Sequence, residues 1–117
     1  MKAKVEIIKL IQSKKYVEAE NLINSSQKED QLDNELIFLQ GIIKANQKKY
    51  MEAKNLFKKF LQSSNDHFDG NFNLAGCYHE MGDLENSKSI LDELMKSSQS
   101  DKIKNNAKAL LDKFSEK

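Results

Sequence analysis

Apolar residues recur along this chain at helical rather than strand spacing. From residue 50 they follow one another mostly at intervals of three and four, with lysines between them. This spacing predicts an amphipathic helix. The same pattern predicts seven helices in all, at about residues 2–12, 16–26, 34–46, from 50, 69–81, from 84, and 101–116.

Polar segments separate these helices and suggest how they begin and end. The stretch 27–34 is predicted to be a loop, in which Asp33 is suited to cap the third helix because a short carboxylate can accept a hydrogen bond from its first turn. Gly82 is suited to end the fifth helix in the left-handed conformation. These features predict a series of short helices joined by tight turns.

The helices repeat at a fixed interval. Tyr16 is followed by Ala19, and the same pair recurs as Tyr50 and Ala53 and then, at the same interval and in altered form, as Leu84 and Ser87. A period of about 34 residues is typical of stacked helical hairpins. Such stacks present concave surfaces that bind other chains, so the pattern favours a binding module over an enzyme.

Two segments, GIIKANQKKYMEA at 41–53 and LAGCYHEMGDL at 74–84, resemble tetratricopeptide repeats. The family's small residue in its first helix matches Gly41 and Ala75, and the small residue in its second helix matches Ala19, Ala53 and Ser87. Large apolar residues follow in each repeat. Small positions let antiparallel helices approach closely, and large ones fill the space between hairpins.

This resemblance implies an all-α fold: a right-handed superhelix of three antiparallel hairpins plus a C-terminal capping helix. The single domain would span 1–117, with repeats at about 1–33, 34–66 and 67–100 and the capping helix at about 101–116. The chain departs from the family pattern at Ile7, which replaces a small residue, and at Lys44, which replaces the aromatic that Tyr78 supplies in the third repeat.

The amino-acid composition argues against nucleic-acid binding, export and membrane insertion. The net charge is +1, all 19 basic residues are lysine, and Arg and Pro are absent. Missing Arg weakens a nucleic-acid interpretation, although lysines of the second repeat keep it as a minor alternative. A lone Cys77 suits a reducing compartment. With no signal-peptide pattern and no long apolar segment, we expect a cytoplasmic protein that does not enter a membrane.

In the family, partner peptides lie along the groove lined by the first helix of each hairpin. Carried over position by position, the groove residues of this chain are Lys4, Ile8, Ile11, Phe38, Ile42, Ala45, Phe72, Gly76 and His79. The resemblance thus implies an apolar groove with a dimple at Gly76. Apolar, aromatic-bearing surfaces suit a helix or extended segment with hydrophobic anchors. The alternative is that several of these residues only pack between neighbouring helices.

The carboxylate-gripping mode of the family's heat-shock chaperone cofactors is not expected. The five positions that bind the carboxylate in those proteins match Lys4, Ile8, Leu39, Asp69 and Asn73 here. Only Lys4 has the required residue type, and Asp69 would repel a carboxylate.

Catalysis is not expected either. The metal-capable residues of the third repeat, namely His67, Asp69, Cys77, His79 and Glu80, form no recognised ligand pattern. We expect no catalytic residues, no cofactor and no metal, and we interpret Cys77 as a small buried residue.

The sequence therefore predicts a non-catalytic adaptor that binds a protein or peptide partner of unknown identity in the groove. Two alternatives keep the fold and change the role. The chain can be a small chaperone or self-associating assembly subunit, or the repeat portion of a larger multidomain enzyme.

Overall fold

A computed structural model of the chain describes residues 2–26, 33–64 and 68–97. This part is helical, without strands, and its six helices are Lys2–Gln12 (α1), Tyr16–Ser26 (α2), Asn34–Asn46 (α3), Tyr50–Leu61 (α4), Phe68–Glu80 (α5) and Leu84–Ser97 (α6). Consecutive helices pack as the hairpins α1/α2, α3/α4 and α5/α6, and α4 also packs on α5. The predicted all-α class is confirmed.

The observed helix bounds match the predicted ones closely. The first three helices have the predicted ends, and α4 and α6 begin at the predicted residues; α5 begins and ends one residue earlier than expected. The predicted capping helix at 101–116 lies outside the described residues. None of the described helices is long and apolar enough to cross a membrane.

The small residues of the repeat lie where the second helix of each hairpin meets the first. Ala19, Ala53 and Ser87 are fully buried. Ser87 differs from the alanines because its hydroxyl must find a partner in the interior. Its Oγ donates a hydrogen bond to the Ala75 carbonyl oxygen at 2.7 Å, which ties α6 directly to the backbone of α5.

Gly41 shows how close the helices of the second hairpin approach. A methyl group at this position would lie 2.7 Å from Cε1 of Phe57, a fully buried ring of α4. The first hairpin uses Ile7 at the equivalent position, and Ile7 is also fully buried. Ile23, the equivalent of Phe57 in the first repeat, is smaller and is fully buried in the same cluster as Ile7, so an isoleucine pair stands where the second repeat has a glycine and a phenylalanine.

All three turns inside the hairpins have the same backbone geometry. Lys14, Lys48 and Gly82, which occupy equivalent positions of the three repeats, have φ of 62°, 64° and 84°. In the second turn the Lys49 N–H donates to the Lys44 carbonyl at 2.9 Å and the Lys48 N–H to that of Ala45 at 3.0 Å. This pair of bonds is the Schellman motif, and the left-handed residue it requires is glycine in the third turn alone.

An ion-pair network occupies the position where the family has an aromatic residue. The Lys44 ammonium lies 3.4 Å from Oε1 of Glu20 on α2 and 3.5 Å from Oε2 of Glu52 on α4. Glu20 Oε1 is buried, and Lys44 gives it a charge contact rather than a well-directed hydrogen bond. Lys44 thereby links three helices at the junction of the first two hairpins.

Adding one methyl group to Gly41 or to Gly76 is expected to have opposite effects. Gly41→Ala overpacks against Phe57 and should lower the free energy of unfolding by roughly 1–3 kcal/mol. At Gly76 no heavy atom lies within 4 Å of an added methyl, so Gly76→Ala should raise it by roughly 0.5–1 kcal/mol through helix propensity. Urea denaturation measures both, and destabilisation of equal size would contradict the close approach at Gly41.

Replacing a left-handed lysine by glycine should stabilise the protein. Lys48→Gly removes the clash of a side chain in this conformation, and we expect a gain of roughly 0.5–1 kcal/mol after the cost in chain entropy. The matched control, Lys58→Gly within α4, should lose about 1 kcal/mol. Thermal denaturation of the two variants gives the comparison, and a loss at both sites would contradict the turn geometry.

Candidate functional site

The predicted groove residues lie on α1, α3 and α5, the first helices of the three hairpins. Ile8 is exposed, with 42% of its surface accessible to solvent. The other eight predicted residues are half-buried. Each of these eight residues therefore packs partly against the protein and is partly in contact with solvent.

Phe38 of α3 has a clear packing role. Its ring meets Phe57 edge-on, with centroids 5.7 Å apart, and lies 5.1 Å from the ring of Phe60 at a tilt of 47°. Both partners belong to α4. Phe38 therefore helps to hold the second hairpin together, and the remaining part of its surface is what it can offer to a ligand.

Ile42 and Ala45 continue the same stripe of α3 towards the next hairpin. Both pack against a buried cluster that includes Leu74 and Cys77 of α5. These residues therefore lie over the junction between the second and third hairpins. A ligand that contacts them would bridge two repeats.

The third hairpin contributes an aromatic ridge and an open space. Phe72 stacks on Phe68, with ring centroids 5.5 Å apart and an interplanar angle of 29°. One helical turn later lies Gly76, where a methyl group would have no neighbour within 4 Å; the dimple expected at this position stays a prediction. His79 follows on the same stripe, with Nδ1 3.8 Å from the Glu80 carboxylate.

Lys4 has partners within the protein. Its ammonium lies 2.9 Å from Asp33 Oδ2 and 3.3 Å from Glu35 Oε2, at the start of α3. The hydrogen bond to Asp33 raises the pKa of Lys4, and the same bond lowers the pKa of Asp33 despite some desolvation. Asp33 also accepts the Glu35 N–H at 2.9 Å, so the predicted helix cap is confirmed.

Sequence reasoning missed part of the exposed apolar surface. Val5 is 52% exposed and lies three residues before Ile8, so the two form one apolar strip on α1. Val17 and Met51, at equivalent positions of the first two repeats, are 66% and 58% exposed on α2 and α4. The repeat spacing could have revealed this second pair, because both residues directly follow the tyrosine of their repeat.

Cys77 lies in the interior of the third hairpin. It is 2% exposed, and burial raises the pKa of its thiol to about 11. A thiol in this state is a poor nucleophile at neutral pH. Among residues 2–26, 33–64 and 68–97, no group of three or more His, Cys, Asp and Glu side chains could hold a metal ion.

Comparison with known proteins gives a family match and several fold matches. The family profile of the tetratricopeptide repeat matches residues 45–112. No curated protein matches the chain.

Solved structures of PcrH are similar in fold. The chain is similar to PcrH in complex with the chaperone binding region of PopB, with a TM-score of 0.78 and 16% identity, over 92% of this chain and 90% of that one. For PcrH with the chaperone binding region of PopD the TM-score is 0.80 at 16% identity, over 95% and 86%. PcrH from Pseudomonas aeruginosa also gives 0.80 at 16% identity, over 95% and 87%.

The ion pair at the start of α3 should make stability depend on pH. The folded-state pKa of Asp33 is lowered, so its carboxylate stabilises the fold above the usual value of 3.8, and this contribution is lost as the pH falls through the lowered value. Asp33→Asn keeps a capping side chain but removes the charge. We expect it to lower stability at neutral pH, with the difference from wild type disappearing in acid.

A double-mutant cycle separates the ion pair from the cap. In a Lys4→Met background, Asp33→Asn should have a smaller effect at neutral pH, because the charge it removes has already lost this partner. Urea denaturation of the four proteins at several pH values measures the coupling. An effect of the same size in both backgrounds would show that Lys4 and Asp33 do not interact.

Proposed function

Because this chain belongs to the tetratricopeptide repeat family, we propose that it is a non-catalytic module that binds a peptide or helical segment of a partner protein along α1, α3 and α5. The observation that carries the proposal is the apolar stripe on these helices, with an open space at Gly76. An adaptor or scaffold role in the cytoplasm fits this chemistry.

The exposed part of the groove favours a ligand with hydrophobic side chains. Val5 and Ile8 expose about half of their surface at one end, and Phe72 is half-buried at the other. Covering such surface removes apolar area from water, which is the main favourable term in protein association. Lys4 is paired with Asp33, so the groove offers little free positive charge for a carboxylate at that end.

The space at Gly76 gives the site a point of specificity. A ligand side chain inserted there would lie beside Phe72 and His79, which flank Gly76 on the same stripe of α5. The side chains that contribute most to binding energy usually lie near the centre of an interface, where they are well packed. We expect a leucine, methionine or aromatic side chain of the partner at this position.

A chaperone role for the same groove is the alternative supported by the fold. PcrH has been solved with the chaperone binding regions of PopB and PopD, so one protein of similar fold binds segments of other proteins. A chaperone would hold such a segment before its release, whereas an adaptor would join two proteins. Two alternatives remain: the chain is a self-associating assembly subunit, or it is the repeat portion of a larger multidomain enzyme.

Filling the space at Gly76 should block binding. Gly76→Trp places a large side chain where the structure has room, so the fold should be kept while the groove is obstructed. The matched control is Ser89→Trp, which adds the same group at an exposed position of α6. Circular dichroism first establishes that both variants keep the wild-type helix content.

The measurement is affinity capture from a lysate of the source organism, with mass spectrometry of the retained proteins. A partner retained by wild type and by Ser89→Trp, and lost with Gly76→Trp and with Ile8→Glu, would support groove binding. Retention of the same partner by all four proteins would contradict it and place the interface elsewhere.

A further inference from the structure

The turns that join the two helices of each hairpin carry a second repeated pattern. The first two read Lys-Lys-Tyr-Val at 14–17 and Lys-Lys-Tyr-Met at 48–51, while the third reads Gly-Asp-Leu-Glu at 82–85. The basic and apolar members of the first two turns are exposed, whereas each tyrosine is half-buried. Two neighbouring turns therefore present the same chemistry to solvent, and the third does not.

These turns lie along one edge of the stack, at the C-terminal ends of α1, α3 and α5. Because the hairpins are antiparallel and packed in series, their turns fall on the same side. An open cleft of about 490 Å³ lies between the second and third turns, lined by Lys48, Lys49, Tyr50, Met51, Glu52 and Met81. Two lysines and two methionines thus line this cleft, together with Tyr50 and the single carboxylate of Glu52, which also pairs with Lys44.

The backbone at these lysines points to a role for their side chains. Lys14 and Lys48 adopt the left-handed conformation that Gly82 adopts in the third turn. The helix end requires this conformation, but glycine would adopt it at lower cost. Strained residues of this kind cluster at binding and active sites. None of the ion pairs of the described residues involves the four turn lysines.

We propose that this edge, formed by residues 14–17, 48–51 and Met81, is a second binding surface for an acidic segment of a partner protein. Carboxylates of the segment would pair with the turn lysines. An apolar side chain between them would enter the cleft beside Met51 and Met81, since methionine packs readily against differently shaped apolar groups. The first turn offers two more lysines and the exposed Val17 one hairpin further along.

A second copy of this chain is a poorer occupant. A symmetric dimer formed along this edge would gain one favourable contact, because Asp83 and Glu85 of the third turn would face the two lysines in the first turn of the other copy. The same two-fold arrangement would place Lys48 and Lys49 against themselves, and like charges in contact oppose association. An acidic segment can meet both basic turns without this penalty.

The test uses fluorescence anisotropy with a labelled peptide of repeated Glu-Glu-Leu units and the full chain. Replacing Lys48 and Lys49 with glutamine should weaken binding by roughly ten-fold, as expected for the loss of two charge contacts. The matched control replaces Lys58 and Lys59, two exposed lysines of α4 at the opposite edge, and should change the affinity by less than about two-fold.

Further variants and peptides test the apolar contact and the charge contacts one at a time. Met51→Gln should also weaken binding, and a Gln-Gln-Leu peptide should bind much less tightly than the acidic one. Gly76→Trp should leave binding of the acidic peptide unchanged, so failure of groove binding and failure of this proposal are distinguishable. Affinity should fall as salt rises from low to physiological concentration.

Several results would overturn the proposal. These are no binding of the acidic peptide, an equal loss on substitution of Lys58 and Lys59, or equal binding of the glutamine peptide. Vesicles of phosphatidylcholine and phosphatidylserine serve as the competing ligand. Attachment of vesicles through Lys48 and Lys49 without peptide binding would make the edge a lipid-binding surface instead.

Discussion

The close approach of two antiparallel helices at a small residue is the constraint on which this structure depends. Gly41 admits the Phe57 ring, and Ser87 reaches the Ala75 carbonyl across the same kind of contact. Ala19 and Ala53 are fully buried at the equivalent positions. Because the contact recurs in each repeat, the hairpins have similar shapes and can stack on one another.

Stacking determines which surfaces remain for binding. The first helix of each hairpin contacts its own partner and its neighbours, so its outward stripe is half-buried rather than free. Phe38 illustrates the result: the ring that would contact a ligand also packs on Phe57 and Phe60. If the groove binds as proposed, stability and binding share residues in the second hairpin. The two would be separated at Gly76, where an added methyl group meets no neighbour.

Much of the fold could be predicted because its determinants are local or periodic. Helix bounds follow from apolar spacing, and the cap at Asp33 and the turn at Gly82 follow from residue type. Other features depend on distant parts of the chain. The sequence alone does not pair Lys4 of the first hairpin with Asp33 at the start of the second. Nor does it indicate that Lys48 takes a conformation usually left to glycine.

We propose above that the stripe on α1, α3 and α5 binds another protein. Site-specific photo-crosslinking tests it most directly, with a photoreactive amino acid placed at Ile8, at Gly76 or, as a control, at Ser89 of α6. We expect both groove positions to form an adduct with the same protein and Ser89 to form none. An adduct formed from Ser89 while both groove positions form none would show that the partner binds elsewhere.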